Sequence, residues 1–122
     1  MNSLDLMKKI VLFADNKKAR DIKVLALEGL TTIADYFVIC SGGSSTQVKA
    51  ISDEVEEKLK EIEILPFGKE GFSMADWILI DYSDVVLHVF TPESREFFNI
   101  EKLWADAKEV DISDILDIKK EN

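Results

Sequence analysis

The stretch Gly71 to Phe90, GFSMADWILIDYSDVVLHVF, decides the fold. Two apolar, β-branched runs, Trp77 to Ile80 and Val85 to Phe90, flank Asp81-Tyr82-Ser83-Asp84, whose Asp and Ser residues suit a tight turn. The pattern predicts a hairpin. With Tyr82 and Ser83 at its tip, Ile80 faces Val85, Leu79 faces Val86, Ile78 faces Leu87 and Trp77 faces His88. Alternation along each strand gathers Ile78, Ile80, Val85 and Leu87 on one face and Trp77, Leu79, Val86 and His88 on the other. The first face is wholly aliphatic and reads as core. The second ends in an indole beside an imidazole, flanked by Met74 and Asp76, and is the candidate site.

Upstream, Leu4, Met7, Val11 and Leu12 recur at helical spacing behind Ser3 as N-cap. That helix runs into Lys17-Lys18-Ala19-Arg20, cations that suit a helix C-terminus better than they suggest a nucleic-acid patch. Asp21 to Leu30 and Ala34 to Ser41 read as strands joined by Thr31-Thr32-Ile33. Beyond Gly42-Gly43, Ser44 and Gln47 form a capping box for a helix whose inner face is Val48, Ile51, Val55, Leu59 and Ile62. Ile64 to Gly68 reads as a short strand or extended link, and Pro66 sends it to a sheet edge.

Downstream of the hairpin, Thr91-Pro92-Glu93 starts a further helix, with Phe97, Ile100, Leu103 and Trp104 as its apolar positions. Val110 to Ile118 has two readings, a short amphipathic helix folded on the domain or a tail ordered only with a partner, and Lys119-Lys120-Glu121-Asn122 reads as a frayed end. The order predicts a single α/β domain over residues 1–107, a mixed β-sheet flanked by helices, followed by an acidic C-terminal tail over 108–122.

The 122 residues suit one core. Acidic residues number 24 against 15 basic, a net charge of −9 that repels phosphate backbones and disfavours direct nucleic-acid binding. Such a surface fits a basic protein partner or serves solubility alone. Cys40, the sole cysteine, rules out an internal disulfide and CxxC metal chemistry and suits a reducing compartment. No signal-peptide core or bilayer-length apolar run is present, so a cytoplasmic location with no membrane role is expected.

Cys40-Ser41-Gly42-Gly43-Ser44-Ser45 joins a strand to a helix N-terminus, where backbone amides can cradle phosphate, but neither GxGxxG nor GxxxxGK[ST] is present. A nucleotidyltransferase built on such a turn also needs two strand carboxylates spaced Asp-x-Asp for Mg²⁺, and none follows. His88 is the only histidine, without the co-ligand spacing of a metal site or the GxSxG of a hydrolase, and reads as a structural residue. No cofactor or catalytic residue is expected. Trp77 keeps two readings, a core indole or an interface anchor, and the residues alone do not choose.

Taken together, Asp35-Tyr36-Phe37-Val38-Ile39-Cys40-Ser41-Gly42, then Ser44-Ser45, Gly71, Ala75-Asp76-Trp77-Ile78, Asp81, Asp84-Val85, His88-Val89-Phe90, Glu93-Ser94-Arg95 and Glu101-Lys102-Leu103-Trp104 closely resemble the ribosomal silencing factor family, also called RsfS, Iojap or YbeB. The resemblance implies a fold related to nucleotidyltransferases without their catalytic carboxylates or activity. It implies a cytoplasmic protein that binds the large ribosomal subunit through its ribosomal protein fourteen, blocks joining of the small subunit and represses translation. Homodimers and a part in large-subunit maturation are further implications. Carried onto this chain, the resemblance makes Trp77 the leading partner contact and Phe98, which stands where many relatives have Tyr, an apolar one. Asp76, His88, Glu101 and Lys102 follow as rim or orienting groups. The alternatives are an assembly or maturation factor for the same subunit, or residual nucleotide binding or nucleotidyl transfer at Gly42 to Ser45.

Overall fold

Helix α1 (Ser3–Asn16) is capped by Asn2, whose side-chain oxygen accepts from the Asp5 backbone N–H, so the cap lies one residue before the expected Ser3. Its buried stripe is Leu6, Met7, Ile10, Val11 and Ala14. Leu4 is exposed, and Lys17 and Lys18 fall just past the helix instead of in its last turn. The computed structural model describes the backbone of residues 1–120 and the side chains of residues 1–116.

Strands β1 (Arg20–Ala26) and β2 (Tyr36–Ser41) are shorter than the apolar runs that predict them, because the chain leaves the ladder after Ala26 to turn through residues 27–35. Helix α2 (Ser45–Glu61) starts at Ser44, whose hydroxyl accepts from the Gln47 N–H at 3.2 Å. The reciprocal bond is displaced by one residue: Gln47 Oε1 takes the Gly43 N–H at 2.6 Å. Ile62 caps α2 and is exposed, so the inner stripe ends at Leu59.

Strand β3 (Gly68–Glu70) lies at a sheet edge, as Pro66 implies, although it begins where the predicted segment ends. The hairpin is β4 (Trp77–Asp81) and β5 (Val85–Phe90), in a register two residues away from the predicted one: Trp77 pairs with Phe90, Leu79 with His88, Ile80 with Leu87 and Asp81 with Val86. The tip is Ser83-Asp84. Asp81 Oδ1 accepts from the Ser83 N–H at 2.7 Å, Ser83 takes a positive φ, and the Tyr82 N–H bonds the Val85 carbonyl. A slip of two preserves which face each side chain occupies.

Helix α3 (Pro92–Phe98) starts at the expected cap, Thr91, and ends at Asn99 in the left-handed conformation. A single turn, α4 (Ile100–Leu103), follows, then β6 (Lys108–Val110) and α5 (Ser113–Lys120). The strand order is β3-β4-β5-β2-β1-β6, antiparallel throughout except for the parallel β2–β5 pair. This is a single-domain α/β fold with a mixed six-stranded sheet.

Helices α1 and α2, with Ile112 and Ile115 from the segment after β6, cover one face of the sheet and enclose Val24, Val38, Ile78, Ile80, Val85, Leu87 and Val89. Beyond Ala107 the chain is thus an edge strand and a helix that lends apolar residues to this core. Ile118, Lys119, Lys120, Glu121 and Asn122 have side chains outside the described residues. The opposite face carries a smaller core of Leu25, Leu27, Phe37, Ile39, Val86, Phe90 and Ile100, with Trp77, Leu79 and Trp104 packed against it.

Candidate functional site

The second face is only partly roofed. Ile100 is buried in its small core, whereas Trp77 and Leu79 on β4 are half-buried. An aromatic row crosses this face. Trp104 meets Phe37 at 5.5 Å, Phe37 meets His88 at 4.7 Å, His88 meets Trp77 at 6.0 Å and Trp77 meets Phe98 at 4.8 Å, with Phe97 edge-on to Phe98 at 5.1 Å. Phe90 stacks on Trp77 at 4.9 Å and is itself fully buried.

Two expected core positions lie outside. Phe97 is 81% and Leu103 77% exposed, because the left-handed Asn99 breaks the helix and rotates the two halves out of one periodicity. Phe98 is 45% exposed, so Trp77, Phe98 and Phe97 form a surface that runs from half-buried to open. Met74, three residues before Trp77, is exposed as well. Such contiguous apolar exposure marks an interaction surface far better than scattered apolar residues do.

Each remaining candidate has a distinct setting. His88 is 4% exposed, so it is no rim group; its Nδ1 accepts the Trp77 indole N–H at 3.2 Å. Burial lowers its pKa from 6.5 to about 4, which keeps the ring neutral. Glu101 is held inward. Its carboxylate accepts from Arg95 Nε at 2.7 Å and from Lys23 Nζ at 3.2 Å, while Arg95 Nη1 also donates to Ser41 Oγ at 3.0 Å. Burial alone would raise the Glu101 pKa, but the hydrogen bonds and charges of Arg95 and Lys23 prevail and lower it. Asp76 is half-buried and its carbonyl accepts from the Thr91 N–H, tying β4 to the start of α3; Lys102 is exposed.

Acidic residues are exposed on the elements beside this face, along with Lys102. Glu93 and Glu96 are exposed on α3, and β3 sets Glu70 opposite Leu79. The sequence offers no sign of the Arg95–Glu101–Lys23 clasp, whose partners lie up to 78 residues apart. Asn99, one of the few residues that tolerate a left-handed conformation, was the available signal for the break that exposes Phe97.

The other motifs are quiet. The Gly43 amide in the strand-to-helix turn is already bonded to Gln47. Cys40 is buried, with its thiol pKa pushed up to about 12 by burial, which leaves it protonated and inert. Among the described residues no group of three or more His, Cys, Asp or Glu is placed to hold a metal ion, and no helix is long and apolar enough to cross a membrane.

A model of the family described as "Ribosomal silencing factor during starvation" matches residues 1–122. The chain belongs to the ribosomal silencing factor family. It is 43% identical over 112 residues to the ribosomal silencing factor RsfS of Bacillus subtilis, covering 92% of this chain and 95% of the relative. It also shares 35% identity over 91 residues with the mouse mitochondrial assembly of ribosomal large subunit protein 1, covering 72% of this chain and 40% of that protein. Among solved structures, a crystal structure of a protein from Chromobacterium violaceum aligns with a TM-score of 0.84 at 34% identity, over 86% of this chain and 88% of the other.

Proposed function

We propose that this protein docks on the large ribosomal subunit, on its ribosomal protein fourteen, and silences translation by keeping the small subunit away from the joining face. The observation that carries this reading is the Trp77–Phe98–Phe97 surface on a family member: aromatic and partly open, with Glu93 and Glu96 exposed on the helix that carries both phenylalanines. An apolar centre with a charged rim is the anatomy of a protein interface, and a net charge of −9 suits a basic partner. Trp77 is the anchor, Phe98 extends it, Asp76 and Lys102 lie at the rim, and Glu101 acts through Arg95 by holding the two helical pieces together. The mechanism is steric and needs no chemical step, and the site of action is the cytoplasm.

The test is subunit joining with purified ribosomal subunits in a sucrose gradient. Added protein is expected to leave large and small subunits apart, and to sediment with the large subunit. Undisturbed joining at saturating protein would refute the reading.

A second reading, assembly of the large subunit, is favoured by the mouse relative, whose name states that role. Preferential binding to immature particles over mature subunits would select it.

A further inference from the structure

His88 is a polar ring buried among apolar side chains. It pairs with Ile39 on one side and Leu79 on the other, and its ring lies against Phe37 and Phe90. With Nδ1 accepting from the indole, the ring proton sits on Nε2, and that buried nitrogen has no partner among the described residues. A buried donor left unpaired destabilises a fold, and each such group calls for an explanation. What an imidazole does here that a leucine cannot is accept the Trp77 N–H.

That bond has a consequence for docking. A partner that covers Trp77 strips water from the indole N–H, and an indole N–H desolvated without an acceptor weakens binding. We infer that His88 is the positioning residue of the docking surface: it fixes the plane of the Trp77 indole and takes its N–H, so that Trp77 meets the partner as a purely apolar ring. The partner's matching pocket is then apolar and supplies no acceptor to Trp77. This inference rests on the docking reading above and specifies how its anchor works.

The experiment uses the full chain labelled with ¹⁵N. An across-bond ¹⁵N–¹⁵N coupling between Trp77 Nε1 and His88 Nδ1 is expected in the wild-type protein; its absence would overturn the inference without any variant. Affinity for purified large subunits is then compared for His88→Leu, which keeps bulk without an acceptor, and His88→Asn, whose Oδ1 lies two bonds from Cβ as Nδ1 does. The leucine variant is expected to bind about tenfold more weakly with a displaced indole resonance, and the asparagine variant to regain most of the loss. Should the leucine variant fail to fold, His88→Asn carries the affinity arm alone: binding near wild-type with the indole N–H still bonded supports the inference, and loss of binding despite that bond overturns it. A folded leucine variant that binds as wild-type overturns it too. Trp77→Ala separates the levels: impaired Trp77→Ala beside unimpaired His88→Leu removes the positioning role alone, whereas unimpaired Trp77→Ala removes the docking reading itself.

Discussion

Trp77 and Phe90 face each other across the β4–β5 ladder with their rings stacked 4.9 Å apart, the phenyl fully buried and the indole half-exposed. The inner surface of the indole thus rests on the small core while its outer part remains accessible. An aromatic side chain held on one side and open on the other loses little conformational freedom when a partner covers it, which favours its use as an anchor.

Phe97 gives the cleanest separation of binding from folding. At 81% exposure its truncation to Ser should change unfolding free energy by less than about 0.5 kcal/mol in a urea titration. The same variant should bind purified large subunits about tenfold more weakly, because it removes apolar area beside the anchor.

The Arg95–Glu101 pair should matter for stability. Both side chains are largely shielded, and the 2.7 Å bond joins α3 to α4 across the Asn99 break while Nη1 reaches Ser41 at the end of β2. Arg95→Ala leaves Glu101 with Lys23 alone and should cost about 2 kcal/mol, measured by denaturant unfolding. A double-mutant cycle with Glu101→Gln should show the two losses to be strongly non-additive.

Gly71 is fixed by the backbone it touches. It has φ +90°, and an added Cβ would fall 1.9 Å from the Trp77 carbonyl oxygen. Gly71→Ala should therefore destabilise the fold by roughly 3 kcal/mol or more and shift the start of β4, with a lowered Tm and altered Trp77 fluorescence as the readouts.

Acid should weaken the fold through His88. Its pKa is about 4 in the folded protein and 6.5 when unfolded, so the unfolded state binds the proton more readily. Stability is fully present above pH 6.5 and falls as pH drops toward 4, by about 3 kcal/mol in total for this group. Glu101, with its lowered pKa, adds a loss further into acid. Urea midpoints across pH 4 to 7 should show the slope, and His88→Asn should remove most of it.

The alternation of apolar residues in the hairpin was enough to assign both faces of the sheet, and the assignment survives a register error because the slip was an even number. The error itself arose at the tip. Asp81 bonds the Ser83 amide and draws the turn one residue later than the apolar runs suggest. Capping chemistry was legible at Thr91 and Ser44, since both act within four residues, but at the first helix Asn2 outcompetes Ser3 for the same role. Strand parity placed Trp77 and His88 on one face, but as a direct cross-strand pair, whereas the observed register sets them diagonally, Trp77 opposite Phe90 and His88 opposite Leu79. The Trp77–His88 hydrogen bond was not legible, because it depends on the true register and on ring orientation, and the exposure of Phe97 and Leu103 was not, because it depends on how the left-handed Asn99 sets α4 relative to α3. The Lys23–Glu101–Arg95 clasp depends on contacts between segments distant in sequence, which periodicity does not encode.

Electrostatic attraction should speed the encounter. The Debye length shrinks from about 10 Å to about 3 Å between 0.1 M and 1 M salt, so capture by large subunits should slow across that range while dissociation changes little. Stopped-flow association rates at several ionic strengths provide the check.

The most direct measurement is co-sedimentation of Trp77→Ala with purified large ribosomal subunits, alongside circular dichroism to show that the variant is folded. Truncation of the anchor should weaken binding by about 30-fold or more, the equivalent of at least ~2 kcal/mol. A folded Trp77→Ala that sediments with the large subunit as fully as the wild-type protein would contradict the account.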